Sequence, residues 1–216
     1  ARHDRKALFV VQSDSNSAVK LNIGNGGYHP GGIQAAGKVV AVPIKGDSGE
    51  TEVVFMDCRS TSDPKALTHL RIVGQSGAEA AGIAYDSKRA CHWVITTNAN
   101  YAYGFASLSL YKSNGKSLFD TSCRFSNVGI IFNCFASEAG TQILFDADGV
   151  MHIAALYRVG TDGESKLTRT TQGLTPTSEG YEMIALTAID KLDSTRPIAR
   201  LLVDKKLSDS GSGISF

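Results

Sequence analysis

The chain carries almost no helical signal and a surplus of strand signal, and this contrast restricts its fold more than any other feature. No long stretch between caps repeats apolar residues at i, i+3, i+4 and i+7. Short runs of Val, Ile, Leu, Phe and Tyr, bounded by Gly, Asp, Asn and Ser, recur instead from one end to the other. Leu8-Phe9-Val10-Val11 opens the series. Ala18-Val19-Lys20-Leu21-Asn22-Ile23 alternates with period two, the pattern of a half-buried strand. Val39-Val40-Ala41-Val42-Pro43-Ile44 and Val53-Val54-Phe55-Met56 follow, and the single Trp lies in His92-Trp93-Val94-Ile95. The expected fold class is all-β.

The order of these runs repeats. Each unit has a small-residue opening, a short strand, a tight turn, a very apolar strand, and then a third and a fourth strand. The first copy takes residues 32–36, a turn at Gly37-Lys38, residues 39–44, 52–56 and 70–73. The second takes 81–85, a turn at Asp86-Ser87-Lys88, then 90–95, 108–111 and 119–125. The third takes 141–145, the turn Asp146-Ala147-Asp148-Gly149, then 150–156, 182–189 and 199–203. Four strands recurring every ~40 to 60 residues describe a β-propeller blade. The alternative is a β-sandwich with meander connections, which does not require this ordered recurrence. Gly211-Ser212-Gly213-Ile214-Ser215-Phe216 reads as a further blade opening, comparable to Gly32-Ile33 and Gly82-Ile83, and residues 8–11 as the apolar strand after it. Joined, the two ends would close one blade and remove an exposed sheet edge. This gives four blades, or five or six if the chain is a fragment.

Residues 1–216 are read as a single domain, long enough to bury a core without covalent staples. Lys and Arg number 22 against 21 for Asp and Glu, a formal net charge of +1. That balance carries no basic excess for nucleic acid. No apolar run approaches the ~18 residues of a membrane-spanning helix. The sequence begins Ala1-Arg2-His3 without an initiator Met, as a mature secreted chain or a fragment would. Secretion is slightly favoured. Cys58, Cys91, Cys123 and Cys134 match no Cys-x-x-Cys spacing. Cys91 sits in an apolar run and is expected as a buried thiol. Cys123 and Cys134 flank what reads as a short connection, so a bridge between them is one open pairing.

The blade arrangement resembles β-propeller repeat proteins over nearly the whole chain. More narrowly, His29-Pro30-Gly31-Gly32-Ile33-Gln34, followed by Gly37 and an apolar strand, is similar to uncharacterised bacterial propeller-like proteins. These share that six-residue opening and a later Asn/Gln-Ile-Leu-x-x-Asp-x-Asp-Gly stretch, matched here by residues 142–149. The resemblance implies a fold and no activity. Trp-Asp dipeptides and the Ser-x-Asp-x-Gly-x-Thr-Trp box of the well-known propeller families are missing.

In such a fold the 2–3 loops and the blade-to-blade links share one face, and the 1–2 and 3–4 turns share the other. The 1–2 turns read as short, and the 2–3 loops as longer, at residues 45–51, 97–106 and 158–180. Function is therefore sought on the long-loop face. His29 opens an inner strand there, as a candidate general base. Gln34, Glu79 and Gln142 are candidate ligand contacts on inner strands. Tyr101 and Tyr103, beside Asn98 and Asn100, suit stacking on a sugar or another flat ligand. Gln34 and Gln142 occupy similar first-strand positions, and His92 and His152 read as matched in two second strands. His69 is expected at the surface. No metal site and no cofactor are expected, because no zinc spacing occurs and Asp146-Ala147-Asp148-Gly149 departs from a calcium loop.

Neither a Gly-x-Ser-x-Gly elbow nor a phosphate-binding loop is present. The favoured reading is a non-catalytic binding propeller that takes a small molecule, glycan or protein on the long-loop face. The second reading is a hydrolase or lyase with His29 as base, so enzymatic status stays open.

Overall fold

A computed structural model describes residues 7–11, 18–22, 29–45, 50–76, 78–100, 105–134, 140–159, 180–190 and 198–205. These residues are all-β, built of antiparallel ladders without a helix. The first sheet contains β3 (His29–Pro30), β4 (Gln34–Ala36), β5 (Val39–Lys45), β6 (Glu50–Asp57) and β7 (Lys65–Ser76). The second runs β8 (Ala78–Asp86), β9 (Cys91–Asn100), β10 (Phe105–Ser113), β11 (Phe125–Cys134) in order. The third runs β12 (Gly140–Phe145), β13 (Met151–Val159), β14 (Gly180–Asp190), β15 (Ile198–Lys205). A separate hairpin pairs β1 (Ala7–Val11) with β2 (Ala18–Asn22). The alternative of a sandwich calls for two sheets; here three larger sheets follow one another along the chain.

β3 and β4 are one inner strand broken by a bulge. Both pair with β5, His29 opposite Lys45 and Ala36 opposite Val39. Pro43 explains the break, because a central strand does not tolerate a residue without an N–H unless the ladder bends around it. Gly31 N–H reaches Pro43 O at 3.1 Å, and Gly32 O turns outward to accept Ala81 N–H at 3.0 Å. Gly32 and Ala80 thereby form a parallel bridge between the first and second sheets.

The second strands β5 and β9 are strongly apolar because both of their faces are covered. Val39 and Ala41 of β5 join Val53, Phe55, Leu70 and Ile72 against Ala81, Ile83, Val94 and Tyr111 of the second sheet. Phe55 and Phe125 stack across this seam with centroids 5.0 Å apart. Val42, Ile44 and Met56 form a second cluster on the opposite face of the first sheet.

Four expectations need correction. Residues 119–124, expected as a fourth strand, form a turn, and β11 begins at Phe125. Asp120 sets the turn: its Oδ1 accepts Ser122 N–H at 2.9 Å and its carbonyl accepts Cys123 N–H at 2.9 Å. Phe119 packs on the core under the Arg59 guanidinium, 3.8 Å from the ring centroid. Cys123, two residues before β11, and Cys134 at its far end are therefore separated by the length of the strand, ~30 Å at strand rise, far beyond disulfide reach. Cys58, Cys91 and Cys123 are reduced and take part in no disulfide. Strand also extends through residues 97–100 and 105–106, which leaves only 101–104 between β9 and β10. With 46–49 between β5 and β6, two of the three 2–3 connections are only four residues long, no longer than the 1–2 turns after β8 and β12. Only residues 160–179 remain a long insertion of that class. Finally, Gly32-Ile33 and Gly82-Ile83 do not match, since Gly32 lies level with Ala80.

Candidate functional site

The inner strands run parallel and level. Gly32 bridges Ala80, so β4 and β8 start at the same end. β8 and β12 touch at two heights. A Cβ on Gly82 would lie 2.8 Å from Thr141 O, and a Cβ on Gly149, beyond β12, would lie 2.5 Å from Lys88 Cδ, beyond β8. Arg89 Nη1 also donates to Gly149 O at 3.3 Å.

Gln34 fastens this arrangement. Its Oε1 accepts Ile83 N–H at 3.0 Å and Ile143 N–H at 2.9 Å, while its Nε2 donates to Ile143 O at 2.9 Å. One side-chain amide thus satisfies the backbone of two other inner strands. Gly82 makes room for it, since a Cβ there would sit 3.0 Å from Gln34 Oε1 and 2.9 Å from Ile95 Cγ2. Gln34 is half-buried and its amide is committed to structure.

The other candidates fall along the same strands. His29 on β3 precedes the bulge and Glu79 is the bulged residue of β8, between the Ala78–Asn98 and Ala80–Thr97 pairs. Both lie toward the end where the inner strands begin. Gln142 lies on β12 opposite Ala154 and is exposed, on the face away from Ile143. Gln34, Gly82 and Gln142 hold corresponding places, facing Ala41, Ile95 and Ala154 on the second strands. Tyr101 and Tyr103 lie outside the described residues. The strands that carry their connection end at that same end, as do Lys45 and Val159 before the other two 2–3 connections.

At the opposite end two aspartates repeat one design that sequence reading missed. Asp86 closes β8; its Oδ1 accepts Lys88 N–H and Arg89 N–H, both at 3.0 Å, and its Oδ2 accepts Arg89 Nη1 at 2.9 Å and Trp93 Nε1 at 3.2 Å. Burial opposes the Asp86 charge, but Arg89 and these N–H groups outweigh it and hold the carboxyl below its usual range. Asp146 follows β12; its Oδ1 accepts Val150 N–H at 2.9 Å and its Oδ2 meets His152 Nε2 at 2.8 Å. The His152 contact, with Val150 N–H, likewise lowers the Asp146 pKa. The shared signal is an Asp at the end of an inner strand with a ring nitrogen at the second or third residue of the next strand.

This register corrects the pairing of the histidines. Tyr85 faces His92 and Phe145 faces Met151, so His92 matches Met151, and His152 matches Trp93. The two histidines lie on opposite faces of their sheets. His92 sits against Tyr85 at 4.9 Å, and burial pushes its pKa down to about 4. His69, expected at the surface, is half-buried and its Nε2 lies 3.0 Å from Leu118 O. The 146–149 segment is a hairpin turn, with Gly149 N–H on Asp146 O at 3.0 Å and Gly149 at φ 74°. Among the described residues no three His, Cys, Asp or Glu side chains gather as a metal set. Neither protein-family models nor curated proteins match the chain.

Proposed function

We propose that the chain is a β-propeller, or a part of one, that binds a small molecule, glycan or protein partner at the end where its inner strands begin. The observation that supports this reading is the parallel, level arrangement of β4, β8 and β12, fastened by Gln34. It sends His29 and Glu79 toward one end, where the connection carrying Tyr101 and Tyr103 is attached. A rigid frame that collects polar and aromatic residues from distant parts of the chain suits recognition. The chemistry of the described titratable groups points the same way. Asp86, Asp146 and His69 are occupied by backbone or neighbouring side chains, and His92 is held neutral by burial.

The test is a glycan array and a small-molecule thermal-shift screen on the full chain, with His29→Ala, Glu79→Ala and Tyr101→Ala as variants. Binding that weakens in all three, without loss of fold, is the expected result. Turnover of a screened compound that disappears in His29→Ala would replace the binding reading with a hydrolase or lyase.

A further inference from the structure

The core between the first two sheets encloses a group of hydroxyls. On the face of the second sheet turned to the first, two neighbouring rungs run Ala81–Thr96–Ser109 and Ile83–Val94–Tyr111. Thr96 is 0% exposed, Ser109 1% and Tyr111 4%. Burial raises the Tyr111 pKa, and the Thr96 and Ser109 hydroxyls pull it back, so the phenol leans along the ladder toward their rung. Yet neither Thr96 Oγ1 nor Tyr111 OH has a hydrogen-bond partner among the described residues. Hydroxyls closed off from solvent and left unbonded are costly. The first sheet does not relieve them, because across the seam it presents Val39, Ala41, Val53 and Phe55. The neighbouring backbone donors are already committed, Ala81 N–H to Gly32 O and Ile83 N–H to Gln34 Oε1.

We propose that this cluster is a binding site for one internal water molecule, which bridges Thr96 Oγ1 and Tyr111 OH and has Ser109 as its third neighbour. The chemistry selects water. A hydroxyl offers one donor and two acceptor sites, and water offers two of each, so a single molecule completes both groups whichever way their protons point. Buried waters make about three such bonds, and three hydroxyls gather here. The space needed is small. The two smallest side chains of the cluster, Ala41 and Ala81, stand on either side of the seam, Ala81 directly beside Thr96. A larger ligand has no way in, because both oxygens are closed to solvent. The bridge ties β9 to β10 through their side chains, in addition to the backbone ladder between them. This site is independent of ligand binding at the end where the inner strands begin, and the two are read by separate experiments.

Magnetic relaxation dispersion of the solvent counts long-lived internal waters in the full chain. That count should fall by about one in a double variant, Thr96→Val with Tyr111→Phe, which replaces both partners by apolar groups of the same shape. An unchanged count would overturn the proposal. A crystal structure of the parent chain is the second measurement. A density peak within ~3.2 Å of both oxygens is expected, and a direct Thr96–Tyr111 hydrogen bond without such a peak would overturn the site. Stability supplies the sign. With the water in place, each single substitution removes one of its partners and should lower the thermal midpoint by about 2–4 °C. If both hydroxyls are simply unbonded, each substitution relieves a cost and leaves the midpoint level or higher, and that result in both variants would count against the water.

Discussion

The side-chain amide of Gln34 is joined to the backbone of Ile143, 109 residues further along the chain, by two hydrogen bonds of 2.9 Å each. With the Gly32 O–Ala81 N–H and Arg89–Gly149 O bonds, it aligns inner strands of separate sheets, which the bonds within each sheet cannot do. With Ile83 N–H the amide serves three backbone groups near the middle of the fold.

Gln34→Ala removes all three bonds and leaves partly buried backbone groups without partners. A net loss of ~1 kcal/mol per bond, plus desolvated groups, predicts about 2–4 kcal/mol. Urea unfolding should show that loss, and Gln34→Glu, which keeps the acceptor for both N–H groups, should lose less. Equal stability of Gln34→Ala and the parent chain would show that the sheets are aligned by other contacts.

Gly82→Ala tests the same junction from the other side. The added methyl would meet Thr141 O at 2.8 Å and Ile95 Cγ2 at 2.9 Å, a backbone atom and a packed side chain that cannot swing away. A cost of about 1–3 kcal/mol is expected for overpacking, measured as a lower thermal midpoint. Combined with Gln34→Ala, the two changes should fall short of additivity, because both disturb one contact.

Much of the fold was legible because strand periodicity and turn chemistry are local. The strands of the first and third units fall close to where Val/Ile runs and Asp/Gly turns put them. Residues 119–124 misled because Phe119 and Phe125 look like the ends of a strand, whereas Phe119 is drawn down by the core and Asp120 folds the chain back. The role of Gln34 was not readable, since an amide on an inner strand looks the same whether it meets ligand or backbone. Its clue was Gly82, a residue without a side chain in the middle of an apolar strand. The histidines were matched wrongly because the turns after β8 and β12 differ in length, which shifts the count by one.

Acid should weaken the protein in two stages. His92 titrates near 6.5 when unfolded and near 4 when folded, because burial disfavours its charge. The unfolded chain then binds more protons between these values, so the stability gained from neutral His92 is complete above ~6.5 and lost as pH falls toward 4. The displacement corresponds to at most ~3 kcal/mol, and partial exposure reduces this to about 1–2 kcal/mol. Asp57, Asp86 and Asp146, all held below 3.8, contribute above that value and lose their contribution only at lower pH. Urea midpoints from pH 7 to 3 should fall first in the upper window. His92→Phe should flatten that window and leave the lower one; an unchanged slope would assign it to other groups.

Ala90 offers a change in the stabilising direction. It is exposed at the end of the 87–90 turn and is the one non-glycine residue with positive φ, at 50°, among the described residues. An L-residue in this left-handed region is strained by its Cβ, whereas glycine enters it freely. The neighbouring turns already use this solution, with Gly37 at φ 60° and Gly149 at 74°. Glycine also makes the unfolded chain more flexible, which offsets part of the relief. Ala90→Gly should therefore raise stability by about 0.5–1 kcal/mol, read as a higher urea midpoint with an unchanged slope. The Asp86 bonds to Lys88 and Arg89 hold the turn in place, so Asp86→Asn should cost stability and abolish much of the gain from Ala90→Gly. A lower midpoint for Ala90→Gly alone would show that chain entropy outweighs the strain at this turn.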